Sequence, residues 1–210
     1  MTESKNWDWK KYENNLFYYT DENFLRYFCG DKNENESEKI DLLLKRLKEC
    51  TEKIHSAGLI TDTVSSETSL CLQLGYTENY GYYALEDNGR GHYSVPYGLP
   101  SENIDTAVMM IIRRIIWFWS LEFERINRSE LKKDYKSRFS KYGLFLYDGF
   151  VYYAEFCLRV WKIFFDNVIP EEVIEFYEAC MNDISSLAKK ASYIWKYNSE
   201  GYKFELVAKN

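Results

Sequence analysis

The chain has few of the residues on which most enzyme and metal sites depend. Only two of its 210 residues are histidines, His55 and His92, and they fall in different predicted elements. A histidine-based triad or a zinc site needs such a side chain close to cysteines or carboxylates, and the spacing here brings none together. The segment 88–91, Asn-Gly-Arg-Gly, is no phosphate loop, because it lacks a following Lys-Ser/Thr and helix. We therefore predict no catalytic residue, no metal and no cofactor.

Paired cysteines, an export signal and a long apolar run are also missing. The five cysteines are scattered and have no metal-binding spacing, and three of them lie among apolar residues, where a thiol packs as a small hydrophobe. The first fifteen residues contain no apolar signal core. The most hydrophobic run, 107–121, is interrupted by Arg113 and Arg114 and is too short to span a bilayer. These features predict a cytoplasmic protein without a membrane segment.

The charge balance is acidic. A net charge of −6 and a pI near 5.2 argue against nucleic-acid binding, which usually leaves a basic footprint on the sequence. One basic run, Lys132 to Lys141, is predicted to be a solvated helix face, with an acidic partner or nucleic acid as the alternative. Aromatic residues make up 18% of the chain and include 19 tyrosines, more than a core needs. A tyrosine-rich surface that binds another protein is therefore plausible.

The spacing of apolar residues differs between segments of the chain, with a period of two in one region and helical spacing in others. Leu70, Leu72 and Leu74 alternate with more polar residues, and segments 80–86 and 92–97 follow around an Asn88-Gly89 turn, which predicts an antiparallel β-meander. Helical spacing marks five further segments. They are Ser37 to Ala57, Ser101 to Ile126, Ser129 to Tyr142, 144–166 and Pro170 to Ile194. The tail, 202–210, can add a final strand.

These elements predict a mostly α member of the α+β class. We expect a helical bundle with a small antiparallel β-meander packed on it. The expected organisation is a single domain over 1–210, with N-terminal helices in 1–60, the meander in 68–98 and a helical core in 101–197. The oligomeric state is left open by the sequence.

Polar residues interrupt two of the predicted apolar helices. Glu122 lies on the apolar arc of the helix that starts at Ser101, so either the helix leaves the core or Glu122 pairs with a buried base such as Arg159. Arg113, Ser120 and Glu124 form the opposite, polar stripe of that helix. The helix 144–166 has one polar line, which must face solvent, pair internally through Glu155 and Arg159, or line a cleft. That line comprises Asp148, Glu155, Arg159, Lys162 and Asp166.

The junction between the meander and the following helices resembles a known class of proteins. A strand of aromatic and aliphatic residues, 81–89, ends in Glu-Asp-Asn-Gly. A hydrophobic helix follows with Trp117 to Glu122 and Arg125, and a charged helix then carries Asp134, Arg138 and Phe139. In these features, over about a third of the chain, it resembles bacterial polymorphic-toxin immunity proteins, and among them the immunity protein 63 family.

That resemblance implies a non-enzymatic protein that binds a cognate toxin domain and neutralises it. We expect the tyrosine-rich face of the meander and the charged positions near its turn to contact the toxin. The predicted contact residues are Tyr80, Tyr82, Glu86, Asp87, Arg90 and Tyr93. The main alternative is a small-ligand-binding or hydrolytic protein with a cleft along helix 144–166, using Glu122, Glu155 and Arg159. A third interpretation is a phage or plasmid accessory protein that sequesters a host factor.

Overall fold

The computed structural model describes residues 37–58, 72–87, 93–94, 99–184 and 192–209. Within these ranges the chain forms four α-helices and five strands, so the mostly α, α+β class is confirmed. Contacts group the described residues into two compact units. The N-terminal unit holds the described residues up to Ile116, and the C-terminal unit begins at Trp117 and continues to the end of the chain. The single-domain organisation stays a prediction.

The first helix, α1, spans Ser37–Ser56. Glu38 in its first turn and Lys53 and His55 in its last turn suit the helix dipole. Leu43, Leu47 and Ile54 are buried, and the helix contacts the first strand of the meander. Leu42 and Leu44 lie on the same helix and are exposed.

Three strands form the predicted antiparallel meander in the order β1-β2-β3. They are β1 (Leu72–Thr77), β2 (Gly81–Asp87) and β3 (Tyr93–Ser94). Gly75 pairs directly with Tyr83, and a Cβ at Gly75 would come within 2.2 Å of the Tyr83 ring. The absence of a side chain thus lets the buried Tyr83 ring lie across the partner strand. The predicted Asn88-Gly89 turn lies outside the described residues.

The long helix α2 spans Ile104–Phe139 without interruption. Its predicted start at Ser101 is wrong, because the Asn103 side chain accepts hydrogen bonds from the backbone N–H groups of Asp105 and Thr106 and caps the helix. The predicted division before Ser129 is also wrong. The whole range contains no glycine or proline to end a helix, and the turn that follows, at Ser140–Tyr142, ends at Gly143 with φ +79°.

The helix predicted over 144–166 is shorter in the structure, where α3 spans Phe150–Phe164. Asp148 lies before it and accepts a hydrogen bond from the Phe150 backbone N–H at 2.9 Å. Asp166 and Asn167 lie after it and have φ values of 55° and 76°, which are incompatible with a right-handed α-helix. Asp148 and Asp166 are therefore not part of a helical polar line.

The C-terminal region combines a helix with a hairpin. The helix α4 spans Glu171–Ile184, and its predicted continuation to Ile194 is wrong because Ile194 lies in strand β4 (Tyr193–Asn198). The strand predicted in the tail is confirmed as β5 (Lys203–Ala208), which pairs antiparallel with β4. The Asn182 side chain joins helix and hairpin, because its Oδ1 accepts from the Trp195 backbone N–H at 2.9 Å and its Nδ2 donates to the Trp195 carbonyl.

The core of the C-terminal unit is aromatic. Its largest fully buried side chains come from all of the unit's helices and from both strands of the hairpin. They are Tyr135, Phe156, Trp161, Phe176, Trp195 and Phe204. Cys157 and Cys180 are buried in this core. None of the described helices has an apolar stretch long enough to cross a membrane.

Candidate functional site

Glu155, at the centre of the predicted polar line, is buried and fully engaged. Its Oε1 accepts hydrogen bonds from Arg138 Nη2 at 2.6 Å and from the Phe204 backbone N–H at 2.8 Å. Its Oε2 accepts from Arg138 Nη1 at 3.3 Å. Arg138 also donates to the Phe204 carbonyl at 2.7 Å and to Asp134. We call this group the Glu155 cluster, defined by Asp134, Arg138, Tyr152, Glu155 and the backbone of Phe204.

Burial and hydrogen bonds within the cluster shift the pKa values of Arg138, Asp134 and Tyr152. Burial opposes the charge on Arg138, but the hydrogen bonds from Arg138 to Glu155 and Asp134 and the charge of Glu155 together outweigh it and raise the pKa of Arg138. Burial also opposes the charge on Asp134, yet hydrogen bonds from Tyr152 and Arg138 lower its pKa overall. Burial and the hydrogen bond to Asp134 raise the pKa of Tyr152. The shifts of Arg138 and Asp134 both favour their charged forms, and these charges are paired inside the fold.

The predicted network of Glu122, Glu155 and Arg159 does not form as one unit. Glu122 pairs with Arg125 on the next turn of α2, with an Nε–Oε1 distance of 2.8 Å. Arg159 lies over the Phe123 ring, 5.5 Å from its centroid. Its Nε is buried and has no hydrogen-bond partner among the described residues. The suggested internal Glu155–Arg159 pair is replaced by Glu155–Arg138, which joins residues 17 positions apart.

The hairpin of β4 and β5 lies over the polar line of α3. Phe204 supplies the backbone groups that bind Glu155 and Arg138. Lys162 donates to the Tyr202 hydroxyl, and its ammonium lies 4.1 Å from the centroid of the same ring. Burial, with a contribution from Glu155, raises the pKa of Tyr197 to about 12. The polar line thus faces the hairpin.

A second buried carboxylate, Glu124, was assigned by the sequence to the polar stripe of α2. The structure buries it, with 1% of its side chain exposed, and also buries Ser120 and Arg113 from the same stripe. Arg128 donates to it from Nε at 2.9 Å and from Nη2 at 2.8 Å, and the Tyr147 hydroxyl donates at 2.8 Å. The i,i+4 spacing of Glu124 and Arg128 is the sequence signal that could have shown this pair.

The Glu124 site should give stability a specific dependence on pH. Hydrogen bonds from Arg128 and Tyr147 lower the pKa of Glu124 below its ordinary 4.5, although burial alone would raise it. A lowered folded-state pKa contributes stability that is complete above the unfolded-state value and is lost as pH falls through the folded-state value. We expect the stability difference between wild type and Glu124→Gln, from urea denaturation at a series of pH values, to be largest above pH 4.5 and to shrink below it.

The Tyr147→Phe variant provides the matched comparison for that measurement. It removes one hydroxyl donor to Glu124 and leaves the guanidinium of Arg128 in place. Lowering the pH should therefore reduce the stability difference between Tyr147→Phe and wild type in the same pH range, but by less than for Glu124→Gln. A Glu124→Gln difference that stays constant as the pH falls would show that the carboxylate is not stabilised in its charged form.

The predicted partner-contacting residues of the meander are only partly described. Tyr80 is half-buried at the β1–β2 turn. Tyr82 is buried, with 5% exposed, and its ring packs edge-on against Tyr76 at 4.9 Å, so it offers almost no surface. Glu86 and Asp87 pair through the backbone with β3. The side chains of Glu86, Asp87 and Tyr93, and all of Arg90, lie outside the described residues.

Among the described residues, no group of three His, Cys, Asp or Glu side chains could hold a metal ion.

Comparisons with known proteins identify no homologue of this chain. The resemblance to the immunity protein 63 family stays a prediction that rests on the residues given above. The chain matches no protein-family model and has no significant match to a curated protein or to a solved structure.

Proposed function

We propose that this protein is a non-enzymatic immunity protein of the cytoplasm, which binds a cognate bacterial toxin domain and neutralises it. The observation that carries the proposal is the internal pairing of Glu155 with Arg138 beneath the C-terminal hairpin. It removes the main support for the alternative, a ligand-binding or hydrolytic cleft along the polar line. The engaged polar line of α3 therefore favours a protein that acts by binding.

The chemistry of the Glu155 cluster favours this choice. A general base must reach a proton on the substrate. Both oxygens of Glu155 already accept hydrogen bonds from a guanidinium, and one also accepts from a backbone N–H group. Taking a substrate proton would require the loss of charge-assisted bonds in a buried site, where such bonds are strong. The cluster therefore suits a structural role within the C-terminal unit better than an active site.

We place the toxin contact on the meander, as the sequence predicts, with one change of role. Tyr80, Glu86, Asp87, Arg90 and Tyr93 remain the proposed contact residues. Tyr82 becomes a core residue that holds Tyr76 and the strand pair in position, because its side chain is buried. Tyrosines at an interface supply large contact area for little loss of conformational entropy, which is why they recur at hot spots.

Co-expression tests the proposal. The toxin domain encoded by the gene directly upstream is induced in bacteria with and without this chain, and growth is followed. We expect wild type to restore growth, and Tyr80→Ala/Tyr93→Ala to bind the purified toxin domain roughly 30-fold more weakly, the loss of one hot spot of about 2 kcal/mol. Tyr202→Ala, which removes a part-exposed tyrosine of the C-terminal hairpin, should bind like wild type.

Different failures of this test point to different conclusions. Failure of wild type to restore growth or to bind the domain would reject the immunity function and favour a protein that sequesters a host factor. Restoration of growth together with unchanged affinity of Tyr80→Ala/Tyr93→Ala would keep the immunity function and move the contact surface away from the meander.

A further inference from the structure

The loop between the Ser140–Tyr142 turn and α3 displays two large apolar side chains to solvent. Phe145 is 77% exposed and its neighbour Leu146 is 88% exposed. Adjacent exposed residues of this size cost solvation free energy that burial against a partner would recover, at about 25 cal/mol for each Å² of apolar surface. Scattered exposed apolar residues are common, but two together on an ordered loop deserve an explanation.

Anchors on both sides hold this pair in place. Leu144, immediately before it, is buried, and its backbone N–H donates to the Phe139 carbonyl. Tyr147, immediately after it, donates its hydroxyl to the buried Glu124 at 2.8 Å. Asp148 caps α3. Because the flanking residues are anchored, Phe145 and Leu146 are already ordered outward, and a partner would not have to order the loop when it binds.

A basic stripe on α2 flanks the loop. Arg128, Lys132 and Lys136 are exposed and spaced four residues apart, so they lie on one helix face. The Lys132 ammonium lies 5.8 Å from the centroid of the Tyr147 ring, which places the stripe beside the loop. Between residues 122 and 142 the sequence has seven basic and four acidic residues. All four acidic side chains pair within the helix, and one of them, Glu124, binds Arg128. The charge that the stripe offers a partner therefore comes from Lys132 and Lys136.

We infer that Phe145 and Leu146, together with the basic stripe of Arg128, Lys132 and Lys136, form a docking surface for an acidic protein segment that carries an apolar side chain. The inference goes beyond the proposed function and does not depend on it, because this surface belongs to the C-terminal unit and the proposed toxin contact does not. The apolar pair supplies the buried anchor and the stripe supplies charge complementarity.

Charge also decides between a protein and an anionic lipid surface. The whole chain carries a net charge of −6 although this region is basic, so the rest of the chain is more acidic than the whole. A lipid surface of negative charge would repel that larger part, whereas a protein segment can meet the basic stripe alone. Two apolar residues also bury too little surface for stable membrane anchoring without further signals.

A displayed library of random peptides, panned against the full-length protein, tests the inference. The enriched peptides should carry net negative charge and at least one aromatic or large aliphatic residue. One of them, made synthetically, should bind at least about tenfold more weakly to Phe145→Ser/Leu146→Ser and to Lys132→Glu/Lys136→Glu, and its affinity for wild type should fall as salt increases. Leu42→Ser/Leu44→Ser removes two exposed leucines from α1 and should bind the peptide like wild type.

Several outcomes would overturn the inference. No enrichment, enrichment of basic peptides, or equal binding to Phe145→Ser/Leu146→Ser would show that the surface does not recognise an acidic apolar segment. Binding to phosphatidylserine–phosphatidylcholine vesicles that needs Phe145 and Leu146 would assign the loop to lipid. If sedimentation shows a dimer that Phe145→Ser/Leu146→Ser abolishes, the loop binds a second copy of the chain. None of these results bears on growth rescue, so the proposed function would stand or fall separately.

Discussion

Replacing Glu155 with alanine should lower the free energy of unfolding by about 3–5 kcal/mol, measured by urea denaturation followed by circular dichroism. The substitution removes the acceptor for Arg138 and for the Phe204 backbone N–H, both in a buried environment. Without Glu155, Arg138 keeps only the Asp134 carboxylate at 3.2 Å and the Phe204 carbonyl, so its buried charge is poorly compensated. The effect is large because Arg138 and the Phe204 backbone N–H lose an acceptor in a buried site, and not because the ion pair itself is strongly stabilising.

Two comparisons isolate that cause. Glu130→Ala breaks an ion pair on the same chain between side chains that are 71% and 74% exposed, and should cost less than about 1 kcal/mol. The double variant Arg138→Met/Glu155→Leu removes both charges, so it should be less destabilised than the sum of its single variants. If Glu155→Ala costs no more than Glu130→Ala, the cluster does not support the hairpin on α3 and the argument against a cleft weakens.

Replacing Trp161 with alanine should also cost about 3–5 kcal/mol in the free energy of unfolding. Trp161 is fully buried, and its ring packs against Phe164 and Phe165 at centroid distances of 5.3 and 5.6 Å. Its Nε1–H donates to the Tyr177 hydroxyl on α4 at 3.2 Å, which joins α3 to α4. The substitution leaves a cavity that close-packed aromatic neighbours can fill only in part. Denaturant midpoints measure the effect.

Trp161→Phe and Phe145→Ala serve as controls for that measurement. Trp161→Phe keeps most of the apolar volume and loses the hydrogen bond, so it should cost clearly less than the alanine variant. Phe145→Ala removes an aromatic ring that is 77% exposed, and should change the free energy of unfolding by no more than about 0.5 kcal/mol. A large loss of stability in Phe145→Ala would mean that the ring packs within the fold and is not free to bind a partner.

Local sequence patterns predicted the type of most elements. The alternation that ends at Leu74 predicted β1, and the 3.6-residue spacing predicted the helices that contain Leu47, Ile111 and Phe176. Boundaries were predicted less well. The run from Ile126 to Ser129 looked like a helix end because it turns polar, yet α2 continues, since polar residues stop a helix only where they offer the backbone another partner. Ile194 fits a helical face as well as a strand, and pairing with Val207 decides for the strand.

The candidate site could be predicted only in part, for the same reason. Glu155 was predicted to face solvent, to pair with Arg159 or to line a cleft, but its partners are 17 and 49 residues away in sequence. Glu122 was expected to reach across to Arg159 and instead pairs with Arg125 on its own helix. Glu124 looked solvent-facing, although Tyr147 returns from the following loop to cover it. Spacing along one helix carries no information about which loop or hairpin packs over it.

Composition and periodicity were thus sufficient to predict the class of the fold. Buried apolar side chains recur every 3.6 residues on a helix and every two residues on a strand, and this repeat does not depend on which element packs against them. The choice of partner for each buried charge was settled only by tertiary packing. Low solvent access makes every unpaired charge costly, so the C-terminal hairpin and the loop before α3 determine which carboxylate meets which donor. The same packing leaves Phe145 and Leu146 exposed.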